Sequence, residues 1–195
     1  MTEGAPSNTS EQISNQHYAI EVWDVASLDK ESLTKDMVAI SSIDQEAFGN
    51  EHGLNVAGTI EFFRLFPDAI TIVIRDSDSE KKEIVGFSIV EPLETVFTDD
   101  VYVGRVPSTN TAYITKTAIA LEHRGKHLVE QIMARLESEL KQKGFQFIER
   151  DASTFTEEGK ESYADQIIKH NPDRIIHTQL HDSPLGPQLF IRMRL

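Results

Sequence analysis

The sequence contains no cysteine. That excludes disulfides, thiolate-bound metals and a cysteine acyl-enzyme, and it leaves the cytoplasm as the expected location. Long apolar runs are also missing. None approaches the roughly 20 residues that span a bilayer, so no membrane association is expected. Positive charge is scarce: 19 Lys and Arg stand against 32 Asp and Glu, a formal net charge of −13. Such a field repels nucleic acid, and no basic stripe offsets it. An acidic surface suits a cationic amine, although solubility is the better explanation, because net charge says little about specific sites. Residues 1–16 (MTEGAPSNTSEQISNQ) lack the basic start and apolar core of a secretory signal and read as a disordered N-terminal tail. With 195 residues, 39% of them hydrophobic, the chain is long enough for one well-buried domain and short for two. Residues 17–195 are expected to form it.

What is present is organised around Leu121 to Met133 (LEHRGKHLVEQIM). Before it, Thr111 to Ala120 is rich in β-branched residues, carries no Gly or Pro, and reads as a buried strand. After it, Leu128, Val129, Ile132, Met133, Leu136 and Leu140 recur at helical spacing. Lys141 and Lys143 suit the last turn and Gly144 a stop. Phe145 to Ile148 reads as the next strand. A strand–loop–helix–strand unit of this kind asks for an α/β or α+β fold with parallel or locally splayed strands. The first N–H groups of a helix lack internal partners and face the positive end of its dipole, so a loop opening onto them can hold a phosphate. Arg124 and Lys126 add charge there.

Elsewhere, Tyr18 to Val25 alternates as a strand. Leu33, Met37, Ile40, Ile43 and Ala47 form a helical stripe ending near Phe48, and Gly49 to Gly53 reads as a loop. A short helix over about 56–66 stops at Pro67. Ala69 to Arg75 and Glu83 to Val90 form a hairpin around a polar turn. Glu91 to Asn110 is irregular, with a further short hairpin through Val101 to Val103 as one reading. A helix over about 157–170 and strands at 174–181 and 188–195 complete the chain. His177 and His181 share one side of a strand about 13 Å apart, too far to share an ion at about 3.3 Å per residue. His123 and His127 straddle a loop, so no metal site is expected.

The Leu121–Met133 stretch resembles the cofactor motif of the GNAT superfamily of acetyl-coenzyme A-dependent N-acetyltransferases, which runs Arg or Gln, two residues, Gly, one residue, Gly or Ala. Arg124 matches the first position. His127 and Val129 stand where the family has small residues. An Ile43–Phe48 helix end and an Ile84–Phe87 strand fit the same order of elements.

The resemblance implies one domain of the α/β (α+β) class, with a mixed, mostly antiparallel central sheet flanked by helices on both faces. It implies acetyl-coenzyme A as co-substrate and direct transfer to a small-molecule or peptide amine in a ternary complex. The backbone of Arg124, Gly125, Lys126, His127, Leu128 and Val129 would hold the pyrophosphate, and the Ile119 amide would polarise the acyl carbonyl. Tyr163 would be the general acid. Phe48, His52, Phe62 and Phe63 would lie near the acceptor, although Phe63 and Phe66 read rather as core. The base stays open between a water relay, Glu91, Asp151 and a carboxylate of the irregular segment. A homodimer is left open. The alternative is a GNAT-fold protein that has lost catalysis and senses a ligand or binds a partner.

Overall fold

The computed structural model describes residues 17–24, 27–80, 82–93, 109–156, 161–183 and 185–195. The expected tail (1–16) and the hairpin expected at Val101 to Val103 lie outside the described residues. Seven strands form one sheet: β1 (Tyr18–Val22), β2 (Ile70–Asp76), β3 (Ile84–Pro92), β4 (Thr111–Ile119), β5 (Phe147–Ser153), β6 (Ile175–Ser183) and β7 (Gly186–Arg194). Their order is β1-β2-β3-β4-β5-β7-β6. Every neighbouring pair is antiparallel except β4 and β5, which are parallel. The helices are α1 (Lys30–His52), α2 (Val56–Leu65), α3 (Leu128–Gln142) and α4 (Tyr163–His170). The first two pack on one face and the last two on the other. The mixed, mostly antiparallel sheet with helices on both faces is thus the architecture found. No helix of the described residues is long and apolar enough to cross a membrane.

The central unit follows from its sequence. Leu128, Ile132, Leu136 and Leu140 are buried against Ile72, Ile114 and Ile148 of the sheet, as their spacing on one helical face predicts. Gly144 takes a left-handed φ of 87°, and the next amide, Phe145 N, returns to the Leu140 carbonyl at 3.0 Å. This is a glycine-terminated helix end.

α1 is held differently. Asp29 caps it by accepting from the Glu31 and Ser32 amides. Its inner face carries two buried acids beside Met37, Ile40 and Ile43. Asp36 accepts from the Trp23 indole at 2.9 Å and from two nitrogens of Arg75. Asp44 accepts from Lys116 Nζ at 2.6 Å and from the Leu54 amide. Each buried charge therefore has a cation from the sheet, the condition under which burial is tolerated.

Two boundaries differ from expectation. α1 continues through Gly49, where φ is 75° and the helix kinks, as far as His52. The residues read as a loop are therefore one more helical turn, and the Asp44–Leu54 bond helps to hold it. α4 starts at Tyr163 because Ser162 caps it by accepting from the Asp165 amide. The earlier part of the expected helix, 157–160, lies outside the described residues.

One irregularity sits at the centre. β3 and β4 are in register from Pro92↔Ala112 to Val90↔Ile114, and resume at Ile89↔Lys116. Thr115 is the extra residue of a β-bulge. Its hydroxyl donates to Glu91, which is only 3% exposed. Burial pushes the Glu91 carboxyl above its ordinary range, and the Thr115 hydrogen bond opposes this less strongly. The unfolded chain therefore ionises Glu91 at lower pH than the folded chain does. Stability from this group is full below the pH at which the unfolded carboxyl ionises. It is lost as pH rises through the point at which the folded one does. Glu91→Gln keeps the acceptor for Thr115 and removes that loss. Its urea midpoint at neutral pH should be higher than that of the unaltered chain. A lower midpoint would show that the fold favours the carboxylate.

Candidate active site

β4 and β5 pair only from Thr111↔Phe147 to Ile114↔Arg150. Beyond that point β4 runs on to Ile119, while Asp151, Ala152 and Ser153 pair only with β7. The separation begins at the Thr115 bulge, and a bulge bends its strand in this way. The Ala120 amide donates to the Val85 carbonyl at 2.9 Å. By alternation the Ile119 N–H and C=O turn away from β3, towards the gap. The Ile119 carbonyl accepts there from Arg124 Nε at 2.9 Å.

A cavity of about 980 Å³ occupies this gap. It runs between α3 and α4, past Met133 and Gln166, and reaches Ala47 and Phe48 of α1 across the sheet. Ile119, Arg124, Gly125, His127, Leu128, Val129 and Tyr163 all line it. The structure thus brings to one cavity every residue read as cofactor-binding or as the general acid except one. Lys126 turns away. Its ammonium donates to Tyr18 Oη at 2.9 Å and lies 5.6 Å from the centre of that ring. Tyr18 Oη also lies 2.9 Å from His123 Nδ1. The side-chain charge expected from Lys126 at the helix start is committed to β1 instead.

The loop enters α3 with two left-handed residues, Gly125 at φ 74° and His127 at φ 56°. Glycine adopts this conformation freely and other residues adopt it at a cost. A small residue at position 127 would therefore serve the backbone as well as any ligand. The His127 imidazole is exposed and supplies no cap. It turns aside, with Nδ1 3.1 Å from a Glu130 oxygen. Burial raises the Glu130 carboxyl, but its own backbone N–H and the His127 imidazole together outweigh this and hold it below the ordinary range. The open N–H groups of Leu128 and Val129 remain at the cavity wall.

On the α3–α4 side, Tyr163 projects from the start of α4. Arg150 Nη2 donates to its Oη, and the guanidinium carbon lies 4.9 Å from its ring centre. On the opposite face lies a polar row. Tyr113 Oη donates to Asp151 Oδ2 at 2.7 Å, and His181 Nε2 lies 2.9 Å from Asp151 Oδ1. Both carboxylates weighed as bases, Glu91 and Asp151, are near the bulge. Phe48 lines the cavity and stacks under Lys116 at 5.1 Å. Phe62 and Phe63 pack into the α1–α2 core, with Phe63 4.9 Å from Trp23. His52 is exposed.

Sequence reading missed Arg150 and His181 as site residues. The signal for Arg150 was available: it alternates with Ile148 and Ala152, so the strand aims a cation at the same face as two core residues. For His181 no local signal existed, because Asp151 lies 30 residues away.

Comparison with known proteins agrees with this geometry. No curated protein matches the sequence. Solved structures of the same fold include Ard1 from Thermoplasma volcanium, 14% identical over 92% of this chain and 98% of that one, with a TM-score of 0.62. Ribosomal-protein-alanine N-acetyltransferase from Brucella melitensis is 15% identical over 91% and 99% of the two chains, with a TM-score of 0.60. A phosphinothricin acetyltransferase from Sinorhizobium meliloti, in complex with acetyl-coenzyme A, is 13% identical over 92% and 89%, with a TM-score of 0.61. The family model described as acetyltransferase (GNAT) family matches residues 37–158, which contain the bulge, the gap, the glycine loop and α3. That match spans more than half of the sequence, and the chain belongs to the GNAT acetyltransferase family.

Proposed function

We propose that this protein moves an acetyl group from acetyl-coenzyme A directly to an amine, both held in one ternary complex. The observation that carries this is one continuous cavity that touches both faces of the sheet through the β4–β5 gap. A donor between α3 and α4 and an acceptor beside α1 can meet there. The residues present fit the donor. The Ile119 N–H faces the gap as a hydrogen-bond donor for an acyl oxygen, and the α3 start offers open amides for a pyrophosphate. The thioester supplies the activated acyl group, and positioning supplies much of the rest.

Tyr163, on the cavity wall, is the proposed general acid. On the other face, Glu91 and the Asp151–His181 pair are the groups able to take the amine proton, directly or through water. No cysteine is needed for the transfer and no step calls for a metal. The names of the relatives include a protein alanine and a small molecule as acceptors, and both classes remain within this reading. The cytoplasm is the proposed compartment, in keeping with a cysteine-free sequence.

Isothermal titration with acetyl-coenzyme A tests the reading first. Micromolar binding is expected, and no binding at millimolar concentration would sink it. Tyr163→Phe should leave that affinity unchanged while lowering kcat on an amine acceptor roughly 100-fold; an unchanged rate removes Tyr163 as the acid. His127→Gly relieves a left-handed residue and should raise stability by about 0.5–1 kcal/mol. It should bind acetyl-coenzyme A as well or better, and weaker binding by calorimetry would show that the imidazole contacts the phosphate.

A further inference from the structure

Among the described residues, Arg150 is a buried cation without a counter-ion. The residue is 5% exposed. Nη1 reaches only the Met133 sulfur, at 3.9 Å, Nη2 donates to Tyr163 Oη, and Nε has no hydrogen-bond partner. Among the described residues no carboxylate pairs with it. Its neighbours on β5 do have partners: Glu149 pairs with Arg192, and Asp151 with His181 and Tyr113. The other charged groups along this side of the cavity are also engaged. Glu137 pairs with Arg174, Glu130 with His127, and Arg124 with the Ile119 carbonyl, while His170 faces the Gln166 carbonyl. A buried charge left unpaired is costly. A strand that keeps one at the wall of a ligand cavity implies an anion that forms or binds there when the ligand is present.

We infer that Arg150 is the counter-charge for the negative charge that the reaction leaves first on the coenzyme A sulfur and then on the Tyr163 oxygen, and that it sets the direction of the Tyr163 proton. This rests on the acetyl-transfer reading above. Guanidinium has donors only. By donating to Tyr163 Oη it occupies a lone pair and leaves the phenolic O–H free to point elsewhere. As the amine nitrogen bonds to the acyl carbon, the carbon–sulfur bond breaks and its electron pair stays on sulfur. The Tyr163 proton passes to that sulfur, the phenolate left behind is paired with Arg150, and water restores its proton. The proton lost by the amine leaves on the opposite face, so charge and atoms balance. The ordinary reading of an Arg stacked on a Tyr is packing. It does not explain a guanidinium whose Nε is left unsatisfied at the cavity wall.

The test uses the full chain with coenzyme A itself, whose thiolate has its own ultraviolet absorption. In the wild-type complex the thiol should ionise at lower pH than in free coenzyme A. In Arg150→Met, which removes the charge at similar volume, the midpoint should move back towards the free thiol by about one pH unit or more. Arg150→Lys should lie between. With an amine acceptor, Arg150→Met should lower kcat roughly 10- to 100-fold while the affinity for acetyl-coenzyme A stays within about threefold. If coenzyme A binds and the midpoint is the same in wild type and both variants, the inference is overturned while the transferase reading stands. If the wild type does not bind coenzyme A at all, both fall. Urea denaturation separates out a folding defect; replacing an unpaired buried cation with Met is expected to leave the midpoint unchanged or raise it, so Arg150→Lys carries the test if it falls.

Discussion

One extra residue in one strand governs the molecule. Thr115 has no counterpart on β3, and the strand bends where it sits. Were β4 regular, the parallel ladder could continue past Ile114↔Arg150 to the end of β5 at Ser153 and narrow the gap beside Ile119. The bulge leaves backbone polar groups along that gap without a strand partner in the middle of a sheet, which a protein interior ordinarily forbids. Its cost is met partly within the chain, through Arg124 to the Ile119 carbonyl and Thr115 to Glu91.

The charge distribution follows a related logic. An excess of acid is spread over the sequence, yet the buried acids of α1 each meet a cation from the sheet, Arg75 for Asp36 and Lys116 for Asp44. These pairs fix α1 against β2 and β4, and so place Phe48 at the cavity. Around the gap the balance reverses, with Arg124, Arg150 and Arg174 all lining it. Net charge therefore describes solubility, and local pairing describes the site.

Much of this was legible beforehand because it is local. The Leu128–Leu140 stripe, the Gly144 stop and the β-rich run from Thr111 each act within a few residues, so period and turn chemistry reveal them. The glycine loop was legible by resemblance, and all of its residues but Lys126 line the cavity. What was hidden depends on pairs distant in sequence. Lys126 swings to Tyr18, 108 residues earlier, and Tyr163 meets Arg150 only because α4 folds back over β5. The bulge leaves no mark at all. Thr115 is an ordinary strand residue, and its status is decided by how β3 aligns opposite it. The helical turn through Gly49 was misread because a glycine usually ends a helix, and here the Leu54 amide bonds back to the buried Asp44 carboxylate and holds the chain past it.

The cavity reaches both faces of the sheet, since it touches α1 at Ala47 and Phe48 and also passes between α3 and α4. On the proposed reading this bears on traffic. Two reactants that approach from opposite faces need not queue for one doorway. Neither product has to leave before the other, and spent carrier can be exchanged while the second site stays filled. Such a passage allows random order of entry, in contrast to a blind pocket, where the deeper molecule must always go in first and come out last.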